Sequence, residues 1–126
     1  MSLSFDSTEG LIIVPTRLWG PAGDVVVRLA LDTGATGTLL NWDVVVLLGY
    51  DPAAEKRIQI TTGSGAEFVP RIPIERIEAM GKEQRDLQAV CHTLPPTASV
   101  DGLLGLDFFR GQRLIVAFRA GVVTVD

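Results

Sequence analysis

Short apolar runs separated by glycine and proline are the feature that most limits the fold of this chain. Val25–Ala30 and Leu114–Phe118 are two such runs, rich in valine, leucine and isoleucine. Runs of this length, bounded by turn residues, favour strands over helices. With 13 glycines and 47% hydrophobic residues in a chain long enough for one core, the sequence predicts an all-β fold and a single domain over residues 1–126.

The glycines, prolines and other turn residues also indicate where the strands and the helix begin and end. We predict strands near residues 10–19, 24–31, 38–40, 56–62, 66–78, 84–92, 113–118 and 121–125. One short helix is predicted from Trp42 to Leu48, with Asn41 as its N-cap and Gly49 at its end. Pro70 and Pro73 indicate that their strand lies at an edge or is irregular, because proline donates no hydrogen bond to a neighbouring strand.

A turn that carries a carboxylate follows the second predicted strand. Asp32 is followed by Thr33, whose hydroxyl both donates and accepts, by Gly34, which has no Cβ, and by the small Ala35. This order presents a carboxylate at a strand end, with Thr33 able to cross-link backbone groups beneath it and Ala35 leaving room for a ligand. An Asp-X-Gly turn is also common loop chemistry, so the four residues alone leave both interpretations open.

Two later segments bear on the choice. Residues 58–70 form an alternating run, a Gly63-Ser64-Gly65 tip and a second run, which predicts a β-hairpin. In the segment 100–109, a short apolar strand ends at Gly105 and continues into a helical turn. Taken singly, the first segment also fits a plain hairpin and the second a core strand that stops at glycine.

Together, in this order, the three segments resemble the retropepsin-like aspartic proteases (clan AA), and the bacterial and cellular single-domain members more than the viral ones. The resemblance implies an acid-protease barrel with one or two short helices. It implies that Asp32 is catalytic within an active-site loop completed by Thr33, Gly34 and Ala35. It further implies a substrate-binding flap made of Thr62, Gly63, Ser64 and Gly65, and a structural buttress behind the loop made of Leu103, Leu104 and Gly105.

The chain departs from the viral pattern at two places. Viral members have an arginine directly after the buttress glycine, where this chain has Leu106, and acidic residues after the active-site loop, where it has Thr36 and Gly37. The ion pair that braces the viral dimer is therefore missing. Subsite preferences of the viral enzymes do not carry over to this chain.

The number of motifs sets the expected assembly. Asp32 alone is followed by Thr-Gly, so a second catalytic carboxylate has to come from a second copy, in a homodimer with both Asp32 side chains on its two-fold axis. Two adjacent carboxylates share one proton, a pattern for which aspartic proteases are the established example. One then acts as general base on water while the other donates to the scissile carbonyl. The resemblance thus implies an aspartic endopeptidase that acts on a peptide or protein substrate without a metal or cofactor.

Other functions are less consistent with this sequence than an aspartic endopeptidase. A catalytically silent module that binds a peptide or dimerises a larger protein is the main alternative, because a fold does not guarantee activity. A nucleotide-binding loop at 63–65 is excluded because no helix with Lys-Ser/Thr follows, and a net charge of −4 disfavours nucleic acid. Cys91 is the only cysteine, so no disulfide is expected, and the adjacent His92 points to the opposite face of a strand and cannot serve as its base.

No segment predicts membrane association. The apolar run Val44–Leu48 is far too short to cross a bilayer, and the N-terminus lacks the positively charged start and apolar core of a signal peptide. A cytoplasmic location is therefore expected, unless a signal or anchor precedes this stretch of chain.

Overall fold

A computed structural model describes residues 1–126, apart from the side chain of Thr62. The chain forms ten strands and two short helices. The strands are β1 (Ser2–Ser4), β2 (Ile13–Gly20), β3 (Gly23–Leu31), β4 (Leu39–Asn41), β5 (Arg57–Thr62), β6 (Gly65–Ala79), β7 (Lys82–His92), β8 (Gly102–Leu104), β9 (Leu114–Ala117) and β10 (Val122–Val125). The helices are α1 (Trp42–Leu47) and α2 (Leu106–Phe109), and a single 3-10 turn spans Pro52–Ala54.

Six strands close into a barrel. Their order is β2-β3-β8-β4-β7-β6, and β6 returns to pair with β2. Two of the pairs, β3 with β8 and β4 with β7, are parallel, and the others are antiparallel. Closure leaves these six strands without a free barrel edge, and their inward side chains form the core, which includes Val14, Leu18, Leu29, Leu40, Ile72, Ile74, Ile77 and Leu104. The expected all-β barrel with short helices is confirmed.

The predicted hairpin extends from this barrel. β5 pairs only with β6, from Arg57 opposite Pro70 to Thr62 opposite Gly65, and residues 63–64 make the turn. Beyond this hairpin, β6 pairs with β7 from Arg71 onward. Pro70 and Pro73 both lie where β6 has a single neighbouring strand, which agrees with the edge character expected from proline.

A second, three-stranded sheet joins the two ends of the chain in the order β1-β10-β9. Ser2 lies opposite Thr124, and their side-chain oxygens are 2.9 Å apart. Val123 and Val125 of β10 are fully buried beneath this sheet. The sequence analysis placed no strand at residues 2–4, because three residues carry no periodic signal and the pairing partner lies at the other end of the chain.

The short helix begins and ends near the predicted residues, and Asn41 is its N-cap residue, but the side-chain cap expected of Asn41 is not formed. Asn41 occupies the N-cap position without capping, because its Oδ1 accepts a hydrogen bond from the N–H of Leu94, at 3.1 Å. The C-terminal signal was correct. Gly49 has φ +91°, its N–H donates to the carbonyl of Val46, and the next residue's N–H donates to the carbonyl of Val45, which is a Schellman ending.

Candidate active site

The Asp32 turn is fixed where β3 ends. The N–H of Asp32 donates to the carbonyl of Leu104 at 3.0 Å, and the N–H of Ala35 donates back to the carbonyl of Asp32 at 3.2 Å. One carboxylate oxygen, Oδ1, accepts the N–H of Gly34 at 2.9 Å. Asp32 is half-buried, whereas Thr33 and Gly34 are exposed. The turn therefore holds the carboxylate in one orientation at the surface of the barrel, with its second oxygen unbonded to any other described residue.

The segment of β8 and α2 passes directly behind this turn. β8 runs parallel to β3, with Leu103 opposite Ala30 and Leu104 opposite Leu31. A Cβ added to Gly105 would lie 2.6 Å from the carbonyl carbon and oxygen of Gly37, which is closer than backbone atoms allow. Glycine at position 105 therefore lets the two backbones pack against each other.

A buried network that the sequence analysis missed ties this segment to the turn. Thr38 is fully buried, its hydroxyl donates to Asp107 Oδ1 at 2.7 Å, and its backbone N–H donates to Asp107 Oδ2 at 2.9 Å. The same hydroxyl accepts the N–H of Gly105 at 3.2 Å. Within the chain, Thr38 therefore links the turn to the segment behind it. No local signal marked this pair, because Thr38 and Asp107 are 69 positions apart along the chain.

A cavity of about 750 Å³ lies between the turn and the hairpin. It is lined by Gly34, Ala35, Thr36, Gly37, Leu39, Ile58, Gln59, Ile60, Thr61, Arg71, Gln88, Val90, Asp107 and Arg110. The structure therefore brings two residues of the expected active-site loop, Gly34 and Ala35, against strand β5 of the hairpin. The residues expected to buttress the loop lie behind it, outside the cavity lining.

The chain matches the sequence model of a known protein family. A sequence model described as aspartyl protease matches residues 15–108, which include the Asp32 turn, the hairpin and β8. The chain belongs to the aspartyl protease family. No match was found among the curated proteins.

Solved structures agree with the family assignment. The crystal structure of a retropepsin-like aspartic protease from Rickettsia conorii superposes with a TM-score of 0.75 at 16% sequence identity. The match covers 99% of this chain and 88% of that one. At this identity the likeness establishes the retropepsin-like fold of this aspartyl protease family member.

The hairpin tip has the backbone expected of a compact turn. Gly63, Ser64 and Gly65 are exposed, and Gly65 adopts φ +119°, a conformation that favours glycine. The side chain of Thr62, the fourth residue assigned to the flap, is not among the parts of the chain that the structure describes. The tip residues are not part of the cavity lining, whereas the middle of β5 is.

The Cys91-His92 pair is separated as expected for adjacent strand residues. Cys91 is buried, and burial raises the pKa of its thiol to about 11, so the thiolate is scarce near neutral pH. His92 points away from it, with Nε2 2.8 Å from Glu67 Oε2, and this hydrogen bond raises the pKa of His92. Among the described residues, no cluster of His, Cys, Asp or Glu side chains is arranged to hold a metal ion, and no helix is long and apolar enough to cross a membrane.

Proposed function

We propose that this protein is an aspartic endopeptidase in which Asp32 activates the hydrolytic water. The observation that carries the proposal is the fixed orientation of the Asp32 carboxylate. Three backbone hydrogen bonds hold the turn, and only one carboxylate oxygen takes part in them. The second oxygen is available to a water molecule or to another carboxyl group, which is the arrangement that general acid-base catalysis requires.

A second copy of the chain would complete the site. Each chain has one Asp-Thr-Gly turn, and the exposure of Thr33 and Gly34 leaves this turn accessible to a symmetric neighbour. In a two-fold dimer the two Asp32 carboxylates would lie within hydrogen-bond distance and share one proton. The ionised carboxylate then takes a proton from water while the protonated one donates to the scissile carbonyl oxygen.

The substrate would be an extended peptide. β5 is the last strand in its sheet order, and Ile58, Gln59, Ile60 and Thr61 of this strand line the cavity. A peptide lying in the cavity can therefore add to the free edge of β5 through backbone hydrogen bonds. Such binding positions the peptide bond independently of most side chains.

Cleavage mapping by mass spectrometry tests the proposal. The wild-type protein and Asp32→Asn are incubated with a complex peptide mixture from acidic to neutral pH, and their masses in solution are determined by analytical ultracentrifugation. We expect a dimer whose cleavage falls by about 10²-fold or more in Asp32→Asn. Asp43→Asn is the matched control, because Asp43 is exposed, on α1, and outside the cavity lining.

Two outcomes would overturn the proposal. Cleavage by Asp32→Asn at a rate close to that of the wild type would remove Asp32 from the mechanism. A wild-type dimer that cuts no peptide at any pH would favour the silent peptide-binding module instead.

A further inference from the structure

Two arginines are among the residues that line the cavity. Arg71 lies on β6 at the base of the hairpin, and Arg110 follows the last residue of α2. Both are exposed, and among the described residues neither guanidinium has a carboxylate within ion-pair distance. Other arginines of this chain do have such partners, as Arg17 does with Asp24 and Arg113 with Asp126.

The one carboxylate in the cavity lining does not neutralise these arginines by direct pairing. Asp107 uses Oδ1 to accept the hydroxyl of Thr38 and the N–H of Phe108, and Oδ2 to accept the N–H of Thr38. Both oxygens of Asp107 are therefore engaged in hydrogen bonds within the chain. The remaining lining residues are uncharged, so the cavity has two positive groups and one negative group on a protein whose net charge is −4.

We propose that Arg71 and Arg110 form a subsite for an acidic side chain of the substrate, which rests on the peptidase function proposed above. A guanidinium presents a planar set of donors that matches the two oxygens of a carboxylate. Gln88, also in the lining, adds a neutral amide to the cavity. The substrate class is therefore a peptide with aspartate or glutamate in the part that contacts this end of the cavity.

The position of Arg71 on the hairpin determines which residue of the substrate peptide would be acidic. Arg57 opposite Pro70 is the last pair between the two hairpin strands, so Arg71 lies just beyond the base, about 20 Å along the strand from Gly65. With the tip over the scissile bond, the acidic side chain belongs to an outer subsite at the base of the hairpin and not to the residues that flank that bond. Because a two-fold dimer repeats the subsite, the preference is expected at equal distances on both sides of the bond.

Matched peptides provide the test. Peptides that differ only by Glu or Gln at one position are compared by kcat/KM for the wild type, Arg71→Gln, Arg110→Gln and the control Arg119→Gln, an exposed arginine outside the cavity lining. At low salt we expect the wild type to favour Glu by about fivefold at outer positions, which corresponds to one exposed ion pair. The ratio should approach one in both cavity variants, stay unchanged in Arg119→Gln, and decline with added salt.

The test separates this subsite from the peptidase function. If the wild type cleaves Glu and Gln peptides equally, or if Arg119→Gln alters the ratio as much as the cavity variants do, the subsite is overturned and the peptidase stands. If the wild type cleaves nothing, equilibrium binding of the same peptides decides. Tighter binding of the Glu peptides that is lost in Arg71→Gln and Arg110→Gln supports the subsite without catalysis, and equal binding overturns it.

Discussion

Replacing Thr38 by valine would remove the hydroxyl that links the Asp32 turn to the segment behind it. Thr38 is fully buried, and its hydroxyl bonds Asp107 at 2.7 Å and the N–H of Gly105 at 3.2 Å. Valine has nearly the same shape, so the variant leaves the core filled. The change therefore isolates the contribution of these two hydrogen bonds.

The expected loss of unfolding free energy follows from the two hydrogen bonds that Thr38→Val removes. A hydrogen bond to a charged group contributes about 1.5 to 3 kcal/mol, and a buried N–H left without a partner costs about 1 to 3 kcal/mol. The backbone N–H of Thr38 still donates to Asp107 in the variant, which retains part of the network. We therefore expect Thr38→Val to lower the free energy of unfolding by about 3 kcal/mol.

Urea unfolding measures this difference, provided that the slope of the transition is the same in both proteins. Thr38→Ser is the control, because it keeps the hydroxyl and loses only a methyl group, with an expected cost of about 1 kcal/mol. The reasoning is refuted if Thr38→Val unfolds within about 1 kcal/mol of the wild type, or if the serine variant is destabilised as much as the valine variant.

Two further predictions concern the backbone behind the turn and the contact between the hairpin and the end of β7. Gly105→Ala is expected to lower the unfolding free energy by about 2 kcal/mol or more, because its Cβ would meet the backbone of Gly37 at 2.6 Å. Gly63→Ala is the control, because no atom lies within 4 Å of the added Cβ, and we expect it to leave the unfolding midpoint nearly unchanged. Equal stability of the two variants would contradict this placement. Glu67 raises the pKa of His92, so the contribution of the pair is complete below the ordinary imidazole pKa and is lost as pH rises through the raised value. Glu67→Gln should therefore destabilise the protein more at about pH 5 than at about pH 9. Because the pair is partly exposed, we expect the two losses of unfolding free energy to differ by less than about 1 kcal/mol. Urea unfolding at both pH values measures this difference, and an equal loss at both would exclude the linkage.

Features determined by neighbouring residues were predictable from the sequence. The alternation of residues 58–70 around a glycine-containing tip predicted the hairpin, and Gly49 predicted the end of the helix, because turn geometry depends on a few adjacent residues. The short apolar runs predicted an all-β fold for the same reason. The order of three local motifs was enough to indicate the family, which the match over residues 15–108 confirms.

Features that depend on distant partners were not predictable. Asn41 is a residue type that favours the N-cap position. However, β4 pairs with β7 and brings the N–H of Leu94, 53 positions away, to its side chain. Thr38 and Asp107 are 69 positions apart, and neither has a local pattern that signals a buried pair. Strand β1 exists only because β10, at the other end of the chain, supplies its partner.

The sequence by itself therefore determined the strand-rich class, the hairpin and the carboxylate turn, since each follows from the conformational preferences of adjacent residues. Tertiary structure decided which groups surround the carboxylate turn. Closure of the barrel brings Arg71 and Arg110 to one cavity and places Thr38 beneath the turn, and these contacts arise from strand pairing between distant segments. Local propensity contains no information about such pairing, because hydrogen-bond partners and charges that meet in space need not be near each other along the chain.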